Sequence, residues 1–388
     1  MIKNITDSVF YIGVDDKTLD LFESQYIIPN GISYNSYVIM DEKIAIMDTV
    51  DKRGTDEWLL NMEKVLDGKS PDYLVVLHME PDHAGNIQNL CEKYPDMKVV
   101  VNKKTAAMIP QFFEMDIKDR SVVVEEGDKL SLGKHELTFV MAPMIHWPEV
   151  MVAYDWAEKI LFSADAFGKF GALCTEEDWT CEARRYYINI VGKYGVQVQA
   201  LLKKAADLDI EIICPLHGPV LTENLGFYIE KYNIWSSYEP EDDGVLVAYA
   251  SIHGNTRVAV EKLAEILREK GAKKVVVCDL AREDMAEAVE DAFRYDKLIV
   301  ACPTYDGNLF PCMEDFLYHL KIKTYRNRKV GIVENGSWAP MSGKLMKAYF
   351  EQMKDITLCE NMVTIKSSMK ENNVAEIEKL AQEILAKL

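Results

Sequence analysis

The sequence predicts an α/β protein made of two units in tandem: two sheets sandwiched between helices over residues 1–240, then a doubly wound parallel sheet over residues 244–388. Three observations lead there. The first part is crowded with short runs rich in β-branched and aromatic residues, with only a few helical patterns between them. The second part alternates near-continuous apolar strands with amphipathic helices, as in sheets buried on both faces. Between them SSYEPEDDG (residues 236–244) breaks the periodicity with a proline and an acidic cluster, in the manner of a linker.

Taken in order, SVFYIGV, NSYVIM, KIAIMDTV, YLVVLHM, KVVVN, ELTFVMA, MVAYDW, KILFSAD and IEIICPLH read as strands of the first unit. Helices are expected at residues 55–66, 84–93 and 197–207. In the second unit VLVAYAS, KVVVCDL, KLIVACPTY, KVGIVENG and ITLCENMVTI are the strands. Helices are expected at 256–270, around 283–293, at 313–320, after Ser342 and from Asn373 onward.

Composition narrows the function. The formal net charge of −19 would repel nucleic-acid phosphates and anionic lipid, so neither is an expected partner. No window approaches the roughly 20 apolar residues of a membrane span, and the first residues do not read as a signal peptide. A soluble, cytoplasmic protein is expected. The eight cysteines are scattered without the two-residue spacing of a zinc knuckle or redox pair, so they read as small buried apolar residues.

Chemistry concentrates where strands end. YLVVLHMEPDHAG carries an apolar run into a loop presenting His78, Glu80, Asp82 and His83. His146 (MIHWPE), Asp165 (FSADAFG) and His217 (CPLHGP) each follow another apolar run. A lone histidine is ordinarily a hydrogen-bonded, partly buried group; seven ligand-type residues at four strand ends read instead as a two-metal site. Four imidazoles with three carboxylates lean toward iron or manganese. Glu80, Asp82 and Asp165 together with one bridging hydroxide would neutralise two divalent ions. His135, in a turn, and His319, on an amphipathic helix, are not read as ligands.

Three loops of the second unit form another constellation. VAYASIHGNTRVAV sets Ser251, His253, Gly254, Asn255 and Thr256 before a helix, where hydroxyls, amides and the helix dipole favour a phosphate. The Walker lysine and the Gly-x-Gly-x-x-Gly pattern are missing, which argues against a nucleoside triphosphate or Rossmann-type NAD site. CPTYDGNLFP (Pro303, Thr304, Tyr305, Asp306, Gly307, Asn308) and ENGSWAPMSG (Asn335, Gly336, Ser337, Trp338) follow strands of the same sheet, where open α/β sheets bind ligands. Tyr305 and Trp338 offer faces for stacking on an isoalloxazine. The three loops resemble the FMN site of flavodoxins, with His253 as the departure.

The His-x-Glu-x-Asp-His run with later His, Asp and His resembles the metallo-β-lactamase superfamily, and within it the flavodiiron proteins, also called A-type flavoproteins. The resemblance extends over essentially the whole chain and the order of its domains. It implies a metallo-β-lactamase-like αββα sandwich followed by a flavodoxin-like domain. Hydrolytic members usually carry His where this chain has Glu80. Carried over residue by residue, it gives His78, Glu80 and His146 to one iron, Asp82, His83 and His217 to the other, and Asp165 to both. It further implies FMN-supplied electrons, reduction of O2 to water and/or NO to N2O, and a separate donor such as rubredoxin or a reduced deazaflavin. A head-to-tail homodimer, or a dimer of dimers, is implied too, with one subunit's FMN facing its partner's irons. Gln25 and Tyr26 stand in a segment, ESQYIIPNGISYNSYV, expected to line the approach to the metals; some relatives carry a histidine there. The competing readings are a zinc metallohydrolase acting on thioesters or phosphoesters with a regulatory flavodoxin-like domain, and an electron-transfer module with structural metals. Glu80 disfavours the first, and an open seven-residue site disfavours the second, because structural sites are usually closed by four ligands.

Overall fold

Valine-rich segments such as Lys98–Asn102 are stiff at χ1 and pack well on a pleated surface, and here they pair into sheets. The computed structural model describes residues 2–386. They form two compact units, Met1–Tyr187 with Val196–Asn233, and Ile188–Gly195 with Ile234–Leu388. In the second, Asn189 Nδ2 donates to the Ala286 carbonyl at 3.1 Å.

The first unit holds two main sheets. One runs Lys3–Asn4, Val9–Tyr11, Tyr37–Ile39, Ala45–Met47, Tyr73–Val75, Lys98–Asn102, Ser121–Val124, antiparallel to Ala45–Met47 and parallel beyond. The other runs Lys129–Ser131, Glu136–Met141, Met151–Asp155, Ile160–Phe162, Ile212–Cys214, with only the last pair parallel. Every residue of Tyr37–Ile39, Ala45–Met47 and Met151–Asp155 is buried, so these central strands are covered on both faces.

The expected helix at 55–66 forms as Thr55–Leu66, and that at 197–207 lies two residues earlier, as Gly195–Ala205. The one expected at 84–93 is broken into Pro81–Ala84 and Ile87–Lys93. Asn86 causes the break: its amide N–H donates to Thr49 Oγ1 and its Nδ2 to the Val50 carbonyl, tying the chain to the neighbouring loop. Three further helices, Lys103–Phe112, Trp179–Tyr186 and Leu225–Ser237, were not predicted.

The second unit is a parallel sheet in the order Val275–Asp279, Asp242–Tyr249, Tyr295–Tyr305, Arg328–Asn335, Ile356–Leu358. ITLCENMVTI is two strands, and its second piece, Val363–Ile365, also pairs with Arg328–Asn335. Val245, Val247, Leu263, Ile299, Leu380 and Ile384 pack one face. The second strand is the edge and the first lies inside it, the doubly wound order that opens a crevice at the strands' C-terminal ends. None of the described helices is long and apolar enough to cross a membrane.

His135 is a staple of the first unit. Its Nδ1 lies 2.9 Å from Asp155 Oδ2 and its Nε2 2.9 Å from Ser8 Oγ, which donates onward to Glu158. Burial works against its charge, but the Asp155 hydrogen bond, reinforced by Glu158 and Asp41, raises its pKa above the ordinary 6.5. A raised folded-state pKa stabilises fully below the unfolded value and fades as pH climbs through the folded one. The stability gap between wild type and His135→Ala is therefore expected to be about 2 kcal/mol at pH about 6 and to shrink toward pH about 9. Urea unfolding at both pH values checks this; a gap that grows with pH contradicts it.

Candidate functional site

Four strand-end segments converge in the first unit. His78 follows Tyr73–Val75, His146 follows Glu136–Met141, Asp165 follows Ile160–Phe162, and His217 follows Ile212–Cys214. Glu80, Asp82 and His83 come from the turn that opens the short Pro81–Ala84 helix. Asp165 is flanked by Ala164 at φ +50° and Phe167 at φ +67°, left-handed conformations costing about 1–3 kcal/mol each that turn its side chain inward. The Ala164 carbonyl accepts from Leu216 N, which brings His217 alongside.

All seven predicted metal residues meet, in two clusters, His78, Glu80, His146 and Asp165 in one and Asp82, His83 and His217 in the other, with Asp165 Oδ1 reaching His83 of the second. In the first, His78 Nε2 lies 3.2 Å and His146 Nε2 3.0 Å from Glu80 Oε2, and these nitrogens lie 3.5 and 3.1 Å from Asp165 Oδ2. In the second, Asp82 Oδ2 lies 3.3 Å from both His83 Nε2 and His217 Nε2, and His83 Nε2 lies 3.2 Å from Asp165 Oδ1. Donors held 2.0–2.1 Å from a shared centre sit about 3.3 Å apart in a tetrahedron. The spacings on both sides of Asp165 fit that arrangement.

The chemistry of the donors asks for cations. His217 Nδ1 donates to the Ser33 carbonyl at 2.7 Å, so neutral His217 presents a bare Nε2 lone pair, yet His83 Nε2 stands only 3.0 Å from it. Both Asp82 oxygens and Asp165 Oδ1 are buried without a hydrogen bond. Burial opposes ionisation of Asp165, but His78, His83 and His146 hold its pKa well below the usual carboxylate range. Burial likewise opposes charge on His146, and Asp165 and Glu80 overcome it, lifting its pKa to about 9. A site this rich in mutually dependent charges suits two bound metal ions.

Several contributors were not found from sequence. Glu149 Oε1 accepts from His78 Nδ1 at 2.8 Å and from Met79 N at 2.9 Å, fixing the ring that faces the first cluster. Its position three residues after His146, in HWPE, was the one available signal. Ser33 does the same for His217. Tyr186 has its ring centre 5.4 Å from that of His217 and a buried hydroxyl with no hydrogen-bond partner. In the segment expected to line the approach, Ser33, Tyr34, with its ring centre 6.1 Å from His217, and Glu23 are the near residues, and Phe22, just before it, has its ring centre 5.5 Å from His217. Burial and the neighbouring Glu80 raise the Glu23 pKa to about 7, and Gln25 Nε2 donates to it at 3.2 Å.

In the second unit the three predicted loops lie at the C-terminal ends of adjacent parallel strands. Ser251 Oγ accepts from Gly254 N and Arg257 N, closing the turn into the Asn255–Glu269 helix. Gly254 sits at φ +89°, where a side chain would be strained. Thr304 Oγ1 accepts from Met341 N and Ser342 N, joining the second loop to the third, and Asn335 Nδ2 reaches Thr256 Oγ1 and the Ser367 carbonyl. Asp306 and Gly307 both have positive φ and make the tight turn between Thr304–Tyr305 and Asn308–Leu309. His253 and Asn255 are exposed, Tyr305 is 44% exposed and Trp338 83% exposed, so both aromatic rings are left uncovered by the protein. The fourth loop, with Ser367, was not anticipated. A helix N-terminus beside uncovered aromatic faces fits a phosphate-bearing aromatic cofactor.

Comparison with known proteins agrees with the folds of both units. Residues 32–218 match the family model described as ODP family beta lactamase, and residues 246–361 that of the flavodoxin domain. An uncharacterized protein of Methanocaldococcus jannaschii is 30% identical over 384 residues, 96% of this chain and 95% of its own length. An anaerobic nitric oxide reductase flavorubredoxin of Aliivibrio fischeri is 29% identical, over 87% of this chain and 70% of the relative. Among solved structures, rubredoxin oxygen:oxidoreductase from Desulfovibrio gigas superposes with a TM-score of 0.93 at 27% identity, covering 99% of this chain and 98% of that one. With a β-lactamase-like unit carrying two metal-donor clusters, a flavodoxin unit following it in the sequence, and relatives alike over nearly its full length, the chain belongs to the flavodiiron proteins.

Proposed function

We propose that this chain takes electrons from a separate rubredoxin-type donor through FMN and uses them at a di-iron centre to reduce O2 to water, NO to N2O, or both. One observation carries the reading: Asp165 divides its two oxygens between the two donor clusters, and the first cluster has the carboxylate of Glu80 where a zinc hydrolase usually has a third imidazole. The names of the relatives, a nitric oxide reductase and a rubredoxin oxygen:oxidoreductase, support it. In this reading His78, Glu80 and His146 hold one iron, Asp82, His83 and His217 the other, and Asp165 both. Ser251, Gly254, Asn255 and Thr256 hold the FMN phosphate, and the loops at 303–308 and 335–338 flank its ring. A head-to-tail homodimer would set one subunit's FMN against its partner's irons.

When bound, the irons and FMN supply the redox chemistry. The protein's part is to hold and shield them. Glu149 and the Ser33 carbonyl fix the His78 and His217 tautomers, so each presents Nε2 to its cluster. Phe22 and Tyr34 stand edge-on to His217 and keep water from that side. Burial, with Asp165, Glu80, Asp82 and Glu23 nearby, holds the Tyr186 pKa well above the ordinary 10.0. Its hydroxyl therefore keeps its proton and is free to donate a hydrogen bond to a small ligand between the clusters.

Purification without added metal, followed by metal analysis, a visible spectrum and side-by-side O2 and NO consumption with reduced rubredoxin, tests the reading. Two irons, one FMN and turnover of at least one gas are expected. Two zinc ions without flavin absorbance would overturn it. Glu149→Gln is expected to weaken iron binding about 10-fold to 100-fold, because the charged acceptor behind His78 is lost. Iron release to a chelator measures this, and an unchanged release rate would remove Glu149 from the ligand support.

A further inference from the structure

The first unit contains a second feature that the metal centre does not use. A cavity of about 300 Å³ lies between the second sheet and helical residues 198–205 and 229–232. Ile145, Ala166 and Phe167, all at most 5% exposed, are among its lining residues, and each lies within two residues of His146 or Asp165. Ala206, which is exposed, and Ile229, 37% exposed, line it as well.

The lining is apolar apart from two hydroxyls, and both are engaged with protein. Ser163 Oγ donates to the Ala166 carbonyl at 2.7 Å, and the Tyr232 hydroxyl accepts from Phe167 N at 2.6 Å. An ordered water needs about two to four polar partners, so this space favours apolar contents; engineered cavities of this character in other proteins stay dry and bind xenon or benzene. No charged side chain lines it, so neither an anion nor a lipid headgroup finds a counter-charge. The occupant that fits is small and apolar.

We infer that this cavity is a gas-holding site that takes up O2 or NO from solvent and stores it beside the backbone carrying His146 and Asp165. The inference rests on the reductase reading and adds the route by which its substrate arrives. O2 and NO are uncharged and dissolve better in apolar surroundings than in water, so a dry cavity on the protein's flank raises their local concentration behind the ligand shell. The gas would enter past the exposed Ala206 and Ile229 and leave past Ile145, Ala166 and Phe167, the lining residues next in sequence to His146 and Asp165.

Xenon, similarly small and apolar, provides a test independent of turnover. Crystals of the metal- and FMN-loaded protein under xenon pressure are expected to show xenon within this cavity, and its absence there would overturn the proposal. Ala205→Phe, which fills the wall from the helix side, is expected to displace the xenon. It should also raise KM for the gas about threefold or more while kcat stays within about twofold, with iron and FMN contents unchanged. Displaced xenon with an unaltered KM would refute the delivery role, as would a fatty acyl chain recovered from the cavity. Xenon bound in a protein that consumes neither gas would instead overturn the reductase reading, so the two failures are distinguishable.

Discussion

Asp165→Ala is expected to leave a folded chain that retains fewer than one iron per subunit and reduces O2 or NO about a thousandfold more slowly, or not at all. Asp165 is fully buried and has an oxygen at 3.1 Å from His146 on one side and another at 3.2 Å from His83 on the other. Removing it takes a donor from both clusters at once and strips the negative charge that holds the surrounding imidazoles close together. The fold should survive, because the local backbone is tethered independently: Leu216 N donates to the Ala164 carbonyl and Gly168 N to the Asp165 carbonyl. Iron analysis, circular dichroism and gas-consumption rates on one preparation check all three parts. Two irons bound with normal turnover would show that Asp165 does not join the clusters.

Glu80→His is the second large effect expected. It turns the first cluster from two imidazoles and two carboxylates into three imidazoles and one carboxylate, and removes one of three negative charges near the metals. A more imidazole-rich, less anionic donor set suits zinc better than iron. The variant is expected to come from cells enriched in zinc and to lose gas reduction by about 100-fold or more, since zinc has no redox chemistry. The FMN content should not change, because residues 251–256, 303–308 and 335–338 are untouched. Metal analysis after growth in iron-rich and zinc-rich media measures the switch. Full iron occupancy with wild-type turnover would mean that Glu80 is not what sets the metal.

These residues could be read from the sequence for a physical reason. A ligand at the end of a strand is announced by the apolar run before it, and four such runs ended in His or Asp. The parallel sheet was readable because its strands are buried on both faces and so remain apolar along their length. The supporting residues carried no such mark. Tyr186 lies on the Trp179–Tyr186 helix, whose polar residues hide its buried side, and Ser33 acts through its backbone carbonyl, which is the same for every residue type. Glu23 is drawn toward Glu80 by the turn between Leu21–Phe22 and Tyr26–Ile27, a contact set by tertiary packing. The three unpredicted helices escaped for local reasons. Pro110 interrupts the pattern of one, many polar residues dilute the second, and LGFYIEKYNIWSS spreads its apolar residues around the axis without a single face. The break at Asn86 was invisible because its cause lies in the loop at 49–51.

The wide spacing of the metal donors along the chain also governs how the molecule is made. They lie between His78 and His217 and come from both sheets, so a nascent chain cannot complete the second cluster until Ile212–Cys214 has docked beside Ile160–Phe162 and brought in His217. Before that, Asp82 and His83 lack the imidazole of His217 that completes their set. Capture of the second metal is thus a late event in biogenesis, a checkpoint passed only by chains whose first unit is correctly closed. A chain that misfolds there lacks His217 at its second cluster and holds the second iron weakly, so iron retention reports the quality of the folded product.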